Sequence, residues 1–174
     1  FAGDDLDATP ARVARAWADD LVGGYADDPE RELTFTPAPP GSGLVLVRGI
    51  RFASVCVHHL LPFTGLAHVA YLPGSRLAGL SKLGRVVEIH SRRLQIQERL
   101  TSAILGTVTR VLEPAGALVV LEAEHTCMTI RGVRKEGSRL LTLAYSGIYQ
   151  SDAASRSDLL GLLAPGSGGL SGAR

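Results

Sequence analysis

The chain has 174 residues, of which 45% are apolar, and its formal net charge at pH 7 is +1. This length and apolar content suit one domain with its own core. A charge this close to neutral, with basic residues scattered among acids and 5% aromatic residues, argues against a nucleic-acid partner. No run of about 18 apolar residues occurs, so we also expect no membrane span.

The chain contains two cysteines, Cys56 and Cys127. Two cysteines do not make the disulfide framework of a secreted protein, and reduced thiols fit a cytoplasmic location, which we expect here. A single Cys56–Cys127 disulfide is the competing interpretation. Because the sequence starts at Phe1 rather than Met, a longer natural N-terminus with a targeting segment stays open.

The first predicted element is a helix over about Thr9–Val22. The Thr9 hydroxyl would cap it, Pro10 suits its first turn, and Gly23 with the next glycine would end it. Arg12 and Arg15 are three residues apart and therefore share a helix face. By themselves they describe a solvated basic stripe.

The middle of the chain changes to strand patterns. Residues 27–43 are polar and rich in Pro and Gly, and predict a loop. Leu44–Phe52 and Leu66–Leu72 predict strands, and Pro73 with Gly74 predicts a turn. The later predicted elements are a helix from Ser81, a helix over about Leu94–Leu112, strands at Leu118–Ala123, Cys127–Arg131 and Leu140–Tyr149, and a short amphipathic helix at Asp152–Leu163.

This order of elements predicts an α+β fold, with helices on one face of an antiparallel sheet. We divide the chain into an N-terminal helix region (1–26), the folded domain (27–163) and a Gly/Ser-rich tail (164–174) that we expect to be flexible.

Cysteine and histidine occur together in two short groups, Cys56-Val57-His58-His59 and His125-Thr126-Cys127. A tight turn could aim Cys56 and His59 at one ion. Cys127 as a third ligand would leave a fourth tetrahedral position for water, which is typical of a catalytic zinc site. The same groups also describe a buried thiol among hydrogen-bonded core histidines.

Several separate segments resemble the GTP cyclohydrolase I family of zinc enzymes, which begin pterin synthesis. The matching segments keep the family's order and are Thr9–Arg15, Cys56–Phe63, Gly79–Arg85, Arg92–Thr101 and His125–Gly132.

The resemblance implies a fold, an assembly and an activity. The fold is the tunnelling fold (T-fold), in which subunits join their sheets into a barrel. Family members form toroidal homodecamers of two pentamers, with active sites at subunit interfaces. The implied substrate is GTP, whose imidazole ring is opened by water with release of formate, followed by rearrangement to 7,8-dihydroneopterin triphosphate.

The resemblance also implies roles for residues near the proposed zinc ion. Cys56, His59 and Cys127 match the family's metal ligands, and zinc lowers the pKa of a bound water from 15.7 to about 7. His58 and His125 match its catalytic histidines, which can give and take protons near neutral pH. The alternative for both histidines is a supporting role that only orients the ligands.

For substrate binding, the resemblance places Glu98 against the guanine edge and counts its neighbour Gln97 among the substrate-binding residues. Without it, Glu98 would be an ordinary exposed helical residue. The expected triphosphate contacts are Ser81, Lys82, Arg85 and Arg131, with Arg12 and Arg15 from an adjacent subunit. We interpret four further basic residues as surface or interface charges, namely Arg92, Arg93, Arg134 and Lys135. We interpret His68 and His90 as structural.

The sequence departs from the family at Val57, where the family usually has glutamate. We expect Val57 to change rate or product rather than to abolish turnover. A second departure is Leu140, Leu141 and Leu143, where the family is richer in Thr and Ser, and this bears on subunit packing. The alternatives are a cyclohydrolase-like paralogue of deazapurine or other secondary metabolism, and a non-catalytic T-fold protein that binds a purine or pterin.

Overall fold

The computed structural model of the protein describes residues 6–163. Its helices are α1 (Thr9–Arg15), α2 (Pro29–Glu32), α3 (Leu80–Ser91), α4 (Gln97–Leu112), α5 (Thr126–Thr129), α6 (Ile148–Ser151) and α7 (Ala153–Gly161). Its strands are β1 (Phe35–Pro37), β2 (Val45–Cys56), β3 (Pro62–Leu72), β4 (Arg76–Ala78), β5 (Leu94–Gln95), β6 (Gly116–His125) and β7 (Leu140–Gly147).

The core of the fold is a five-stranded sheet with the order β5-β2-β3-β6-β7. Its long strands pair antiparallel, as predicted, and only the two-residue strand β5 runs parallel to its neighbour β2. Strands β1 and β4 form a separate antiparallel pair. The end of β2, the start of β3 and the end of β6 therefore lie side by side at one end of the sheet.

The helix α4 supplies most of the cover on one face of this sheet. Its buried residues Leu100, Ile104, Val108 and Leu112 recur every four positions, so they form one apolar stripe. Each such side chain stabilises the fold by about 1.5–3 kcal/mol when it leaves water. The predicted arrangement of the two long helices, α3 and α4, on one face of the sheet is confirmed.

The opposite face of the sheet is covered only in part. Leu118 and Val120 of β6 point to this face and pack with Tyr149 and with Leu159 of α7. The short terminal helix therefore lies across the sheet from α4. On β7, Leu141 remains 55% exposed on this face.

The N-terminal helix differs from the prediction at its cap, whereas its predicted end near Val22 is confirmed. Ala8 occupies the cap position without a side-chain hydrogen bond, and Thr9 is already helical, so the Thr9 hydroxyl does not cap it. The helix continues beyond α1 as a π-helical turn over Ala16–Leu21, and a 3₁₀ turn at Gly23–Tyr25 follows.

The predicted loop over residues 27–43 was wrong in part, since it contains α2 and β1. The Asp28 carboxylate caps α2 by accepting a hydrogen bond of 2.9 Å from the Glu30 backbone N–H. Asp28 followed by Pro29 is a helix-start signal that the Pro/Gly content of the region concealed.

The predicted strand at Cys127–Arg131 was also wrong. Pairing of β6 with β3 ends at His125, opposite Phe63, and the chain then turns into α5. The Ile130 backbone N–H donates to the Thr126 carbonyl over 3.1 Å and closes this helical turn. The helix predicted from Leu94 also begins later than expected. Leu94–Gln95 is the strand β5, and α4 begins at Gln97.

Two of the arginines interpreted as surface or interface charges join the N-terminal region to the domain. Arg92 donates to the backbone carbonyls of Asp19 and Asp20, and Arg93 donates over 3.0 Å to the carbonyl of Gly24. A Cβ atom at Gly24 would lie 2.2 Å from the Ile89 carbonyl oxygen, so this close approach requires glycine.

Among residues 6–163, no helix combines the length and apolar character needed to cross a membrane. The predicted flexible tail (164–174) lies outside the described residues.

Candidate active site

The hairpin between β2 and β3 builds the first part of the site. Cys56 is the last residue of β2, and its backbone N–H and carbonyl bond to Leu61 and Leu60, each at 2.9 Å. Leu60 adopts a left-handed conformation with φ of 53°, which lets the chain reverse within five residues. This tight turn buries Cys56 and leaves His58 and His59 exposed.

The start of α4 is attached to the same turn through β5. Cys56 pairs in register with Gln95, and the Val57 backbone N–H donates to the Gln95 carbonyl over 3.0 Å. Gln97 and Glu98 then begin α4 directly after this pairing. The local fold therefore explains why the guanine-recognition candidate lies beside the cysteine turn.

The end of β6 brings in the second cysteine. His125 lies opposite Phe63 in the β3–β6 register, and the Thr126 hydroxyl donates over 2.6 Å to the Pro62 carbonyl. Cys127, in the helical turn α5, is thereby held against the start of β3.

Three ligand atoms converge where these segments meet. The sulfurs of Cys56 and Cys127 and a ring nitrogen of His59 all lie within 4.8 Å of one another. The Cys56 Sγ to His59 Nδ1 distance is 3.7 Å. A tetrahedral zinc ion about 2.3 Å from sulfur and about 2.0 Å from nitrogen would separate two such atoms by about 3.5 Å. The donor set and its spacing fit zinc.

Electrostatics at the two sulfurs also favour a cation. Both cysteines carry free thiols, so the competing disulfide is not formed. Burial, and then the neighbouring Cys56 sulfur, raise the pKa of the Cys127 thiol. Two thiolates this close repel each other, and a bound metal ion would remove that cost.

His58 lies on the same turn as the predicted ligands. Its Nδ1 is 3.9 Å from the Cys56 sulfur, and its ring centroid is 6.1 Å from that of His59. His58 is exposed and is not part of the three-ligand group. Its ring therefore lies exposed beside the three-ligand group.

His125 is held more firmly than His58. Its ring stacks on Phe63 at a centroid distance of 4.4 Å and an interplanar angle of 6°, and its Nε2 is 2.8 Å from Gln97 Oε1. Burial lowers the pKa of His125, and the nearby Glu98 carboxylate opposes that shift. The sequence analysis identified His125 but missed Phe63, whose ring stacks on the His125 ring. The two residues are directly opposite each other in the β3–β6 register.

The structure places Gln97 differently from the prediction that it contacts substrate. Its side chain is 1% exposed, and its amide nitrogen lies 3.1 Å from the Leu121 carbonyl and 2.9 Å from the Leu140 carbonyl. Gln97 therefore lies beneath His125 rather than facing solvent.

Glu98, expected beside guanine, and Arg131, expected beside the triphosphate, lie near His125 and Cys127 respectively. Glu98 is exposed in the first turn of α4 and close enough to act on the His125 pKa. Arg131 is exposed after α5, where its charge lowers the Cys127 pKa against the larger effects of burial and Cys56.

The remaining phosphate candidates form a separate region. Ser81, Lys82 and Arg85 line a cavity of about 280 Å³ together with Glu32 and Glu88. In this cavity Lys82 pairs with Glu32 at 3.7 Å and Arg85 pairs with Glu88 at 2.8 Å.

Arg12 and Arg15 are exposed near the end of α1. Within residues 6–163, no hydrogen bond or ion pair connects them, or the Ser81 region, to the cysteine cluster. One chain thus brings together the metal and histidine candidates but not the full set of phosphate candidates.

The two histidines interpreted as structural lie away from the cysteines. His90 is buried, its Nε2 is 2.9 Å from the Thr107 hydroxyl, and burial followed by the Arg93 charge lowers its pKa to about 4. Burial and the Arg48 charge also lower the pKa of His68. Arg134 and Lys135 are exposed, and their interpretation as surface charges stays a prediction.

Comparison with known proteins adds independent findings. The family model described as GTP cyclohydrolase I matches residues 2–164. Two curated proteins, the GTP cyclohydrolase 1 of Bacillus mycoides (strain KBAB4) and that of Bacillus anthracis (strain CDC 684 / NRRL 3495), are each 47% identical to this chain over 156 residues. These alignments cover 89% of this chain and 82% of each relative.

Among solved structures, the chain resembles the archaeosine synthase QueF-Like in its apo form, with a TM-score of 0.52 and 20% identity. The match covers 62% of this chain and 96% of that one. At this identity the likeness concerns the fold alone, and it confirms the predicted tunnelling fold.

Proposed function

This chain belongs to the GTP cyclohydrolase I family of enzymes, and from that premise we propose a reaction, a metal and an assembly for it. The reaction is the opening of the guanine imidazole ring of GTP by water, with release of formate and formation of 7,8-dihydroneopterin triphosphate. The observation that carries this proposal is the convergence of the Cys56, His59 and Cys127 ligand atoms within 4.8 Å.

Cys56, His59 and Cys127 would hold zinc. Zinc supplies a Lewis acid that makes water nucleophilic near neutral pH. The buried Cys56 and the hydrogen-bonded hairpin turn fix the position of the donor atoms before any ion binds. Because this framework comes from one chain, zinc binding should not require a neighbouring subunit.

His58 and His125 would move protons between water, the purine nitrogens and the opened ring. An imidazole can both donate and accept a proton near neutral pH. His58 is exposed on the hairpin turn, whereas His125 is held between Phe63 and Gln97. We therefore assign to His58 the proton transfers that need an exposed imidazole, such as exchange with water. We assign to His125 the transfer that needs a ring of fixed orientation.

Glu98 would select guanine. A carboxylate accepts two hydrogen bonds from the ring N–H and the exocyclic amine of guanine, and adenine does not offer this pair. Glu98 is exposed at the start of α4, directly after the residue that contacts His125. This position would bring carbon 8 of the base toward the metal side of the site.

The triphosphate would bind Ser81, Lys82, Arg85 and Arg131, with Arg12 and Arg15 supplied by a neighbouring subunit. Lys82 and Arg85 are paired with carboxylates in the free chain. These pairs are largely exposed and therefore weak, so a triphosphate with several negative charges can displace the carboxylates.

We propose that the protein is a homo-oligomer, in the form of a decamer of two pentamers, and that it is cytoplasmic. Strand β7 lies at the edge of the sheet, and its face carries the exposed Leu141 and Leu143. An exposed apolar edge strand favours pairing with another chain. Free thiols support the cytoplasmic location. Sedimentation velocity would show a monomer if the assembly proposal is wrong.

The substrate proposal is tested by incubating the zinc-loaded protein with GTP and following formate together with the mass and absorbance of the product. Formate with dihydroneopterin triphosphate is the expected result, and it would also show that Val57 permits normal chemistry. Formate with a different product would indicate the paralogue alternative. Tight GTP binding without formate would indicate a non-catalytic binding protein and reject the proposal.

A further inference from the structure

The hydrogen bonds beneath His125 have a defined direction. Thr101 Oγ1 donates to the Gln97 backbone carbonyl over 2.8 Å, which uses the only proton of that hydroxyl. Thr101 Oγ1 is also 2.6 Å from Thr142 Oγ1, so Thr142 must be the donor in that contact. Thr142 Oγ1 can therefore only accept from the Gln97 amide nitrogen, which is 3.1 Å away.

The Gln97 amide consequently has one possible orientation. Its nitrogen is surrounded by acceptors, because the carbonyls of Leu121 and Leu140 join Thr142 around it. Exchanging the amide oxygen and nitrogen would place an oxygen against two carbonyl oxygens in a site that excludes water. The Gln97 oxygen must then face His125.

We propose that Gln97 is a positioning residue that keeps the proton of His125 on Nε2 and so leaves Nδ1 as the atom that exchanges a proton with the substrate. An amide oxygen only accepts hydrogen bonds, so the 2.8 Å contact requires an N–H on Nε2. Phe63 stacks on the ring and holds its plane. Among residues 6–163, no hydrogen bond engages His125 Nδ1.

The consequence for turnover rests on the proposed function, whereas the tautomer itself does not. If Nδ1 is the working atom, losing the acceptor at Nε2 would leave a mixture of tautomers, and part of the enzyme would present the wrong nitrogen. Loss of a hydrogen-bond partner that orients a metal-ligating histidine typically costs about 10–100-fold, and we expect an effect of the same order for His125. We expect that loss in kcat, with KM for GTP changed by less than about threefold, since Gln97 is buried away from substrate.

The test is the ¹⁵N NMR spectrum of the histidine side chains in zinc-loaded, ¹⁵N-histidine-labelled protein, with His125 assigned by comparison with His125→Asn. The wild-type spectrum should show a protonated Nε2 and an unprotonated Nδ1 at His125. A wild-type His125 with its proton on Nδ1 would overturn the proposal, whatever any variant does.

Gln97→Met is the matching variant, because methionine is similar in length, cannot donate to the carbonyls and is only a weak acceptor for the Nε2 proton. It should show mixed His125 tautomers and the loss in kcat. Gln95→Met is the control, since Gln95 is also buried but donates to the His90 carbonyl over 2.9 Å instead. It should leave the His125 tautomer unchanged. An unchanged His125 spectrum in Gln97→Met would also overturn the proposal, and wild-type protein that makes no formate would reject only the proposed function.

Discussion

The metal half and the phosphate half of the proposed site differ in how completely one chain builds them. Around Cys56 and His125, paired strands, a tight turn and a buried amide fix each side chain. Around Lys82 and Arg85, the side chains are exposed or half-buried and paired with carboxylates. The comparison teaches that the groups that perform chemistry are preorganised, whereas the groups that bind charge are completed by the ligand and, as we propose, by a second subunit.

The largest expected effect comes from removing a ligand in the preorganised half. Cys127→Ala should lose bound zinc and lower formate release on the order of 10³-fold or more, because the Lewis acid is lost with the ligand. Zinc content by atomic absorption and formate release measure the two effects. Met128→Ala is the matched control, since Met128 is exposed on the same helical turn. Full zinc content and activity in Cys127→Ala would contradict the metal site.

A change in the phosphate half should act on binding instead. Arg85→Gln should raise KM for GTP about 10–100-fold with little change in kcat, because a charge-assisted hydrogen bond is worth about 1.5–3 kcal/mol. Steady-state kinetics with GTP measures this effect, and binding of guanosine, which lacks phosphates, should be equal in variant and wild type. An equal loss of guanosine binding would show that Arg85 acts on the fold or the base instead.

Acid should lower the stability of the whole fold through His90, near the end of α3. His90 is 7% exposed and its pKa is lowered to about 4 by burial, so it is neutral in the folded protein at pH 5, whereas an unfolded histidine titrates near 6.5. The unfolded state therefore binds more protons, and stability falls as pH decreases from 6.5 toward 4. Between pH 7 and pH 5 we expect a loss on the order of 2 kcal/mol from this residue.

Urea unfolding at the two pH values measures this loss, with His90→Gln as the comparison. The variant should show a smaller difference between pH 7 and pH 5. His68 and His125, whose pKa values are also lowered, will leave part of the difference in place. An equal pH difference in wild type and variant would assign the acid sensitivity to residues other than His90.

The smallest effect is expected where a carboxylate competes with the substrate. Glu88→Gln should lower KM for GTP about two- to threefold, since it removes an exposed pair of the kind worth about 0.2–1 kcal/mol. Glu113→Gln is the control, because it breaks a similar exposed pair with Arg76 outside the phosphate cavity. A rise in KM in Glu88→Gln would mean that this carboxylate helps to position Arg85.

Regular patterns made much of the fold predictable from the sequence. The apolar spacing along α4 predicted a helix, because burial of one helix face imposes a period, and the β-rich runs of β2, β3 and β6 predicted strands. The segment Cys127–Arg131 was misassigned as a strand because its apolar and β-branched residues resemble a strand. The end of the β3–β6 pairing shows that the chain turns there.

The site was predictable in its residue types but not in its connections. Cys56, His59 and Cys127 were identified from spacing and resemblance, and the structure brings their ligand atoms together. The position of Gln97 under His125 depends on acceptors from β6 and β7, which are distant in sequence. Likewise, the pairing of Lys82 with Glu32 could not be assigned without the packing of α2 on α3, whereas Arg85 and Glu88 lie three residues apart within α3.

The central claim is that this cysteine and histidine cluster promotes the attack of water on carbon 8 of the purine. Its most direct test is to supply the zinc-loaded protein with GTP carrying ¹³C at carbon 8 and to follow the label by NMR. The account predicts that the label leaves the purine and appears in formate as the pterin product forms. Label that stays in the purine, with the protein folded and its zinc in place, would contradict it.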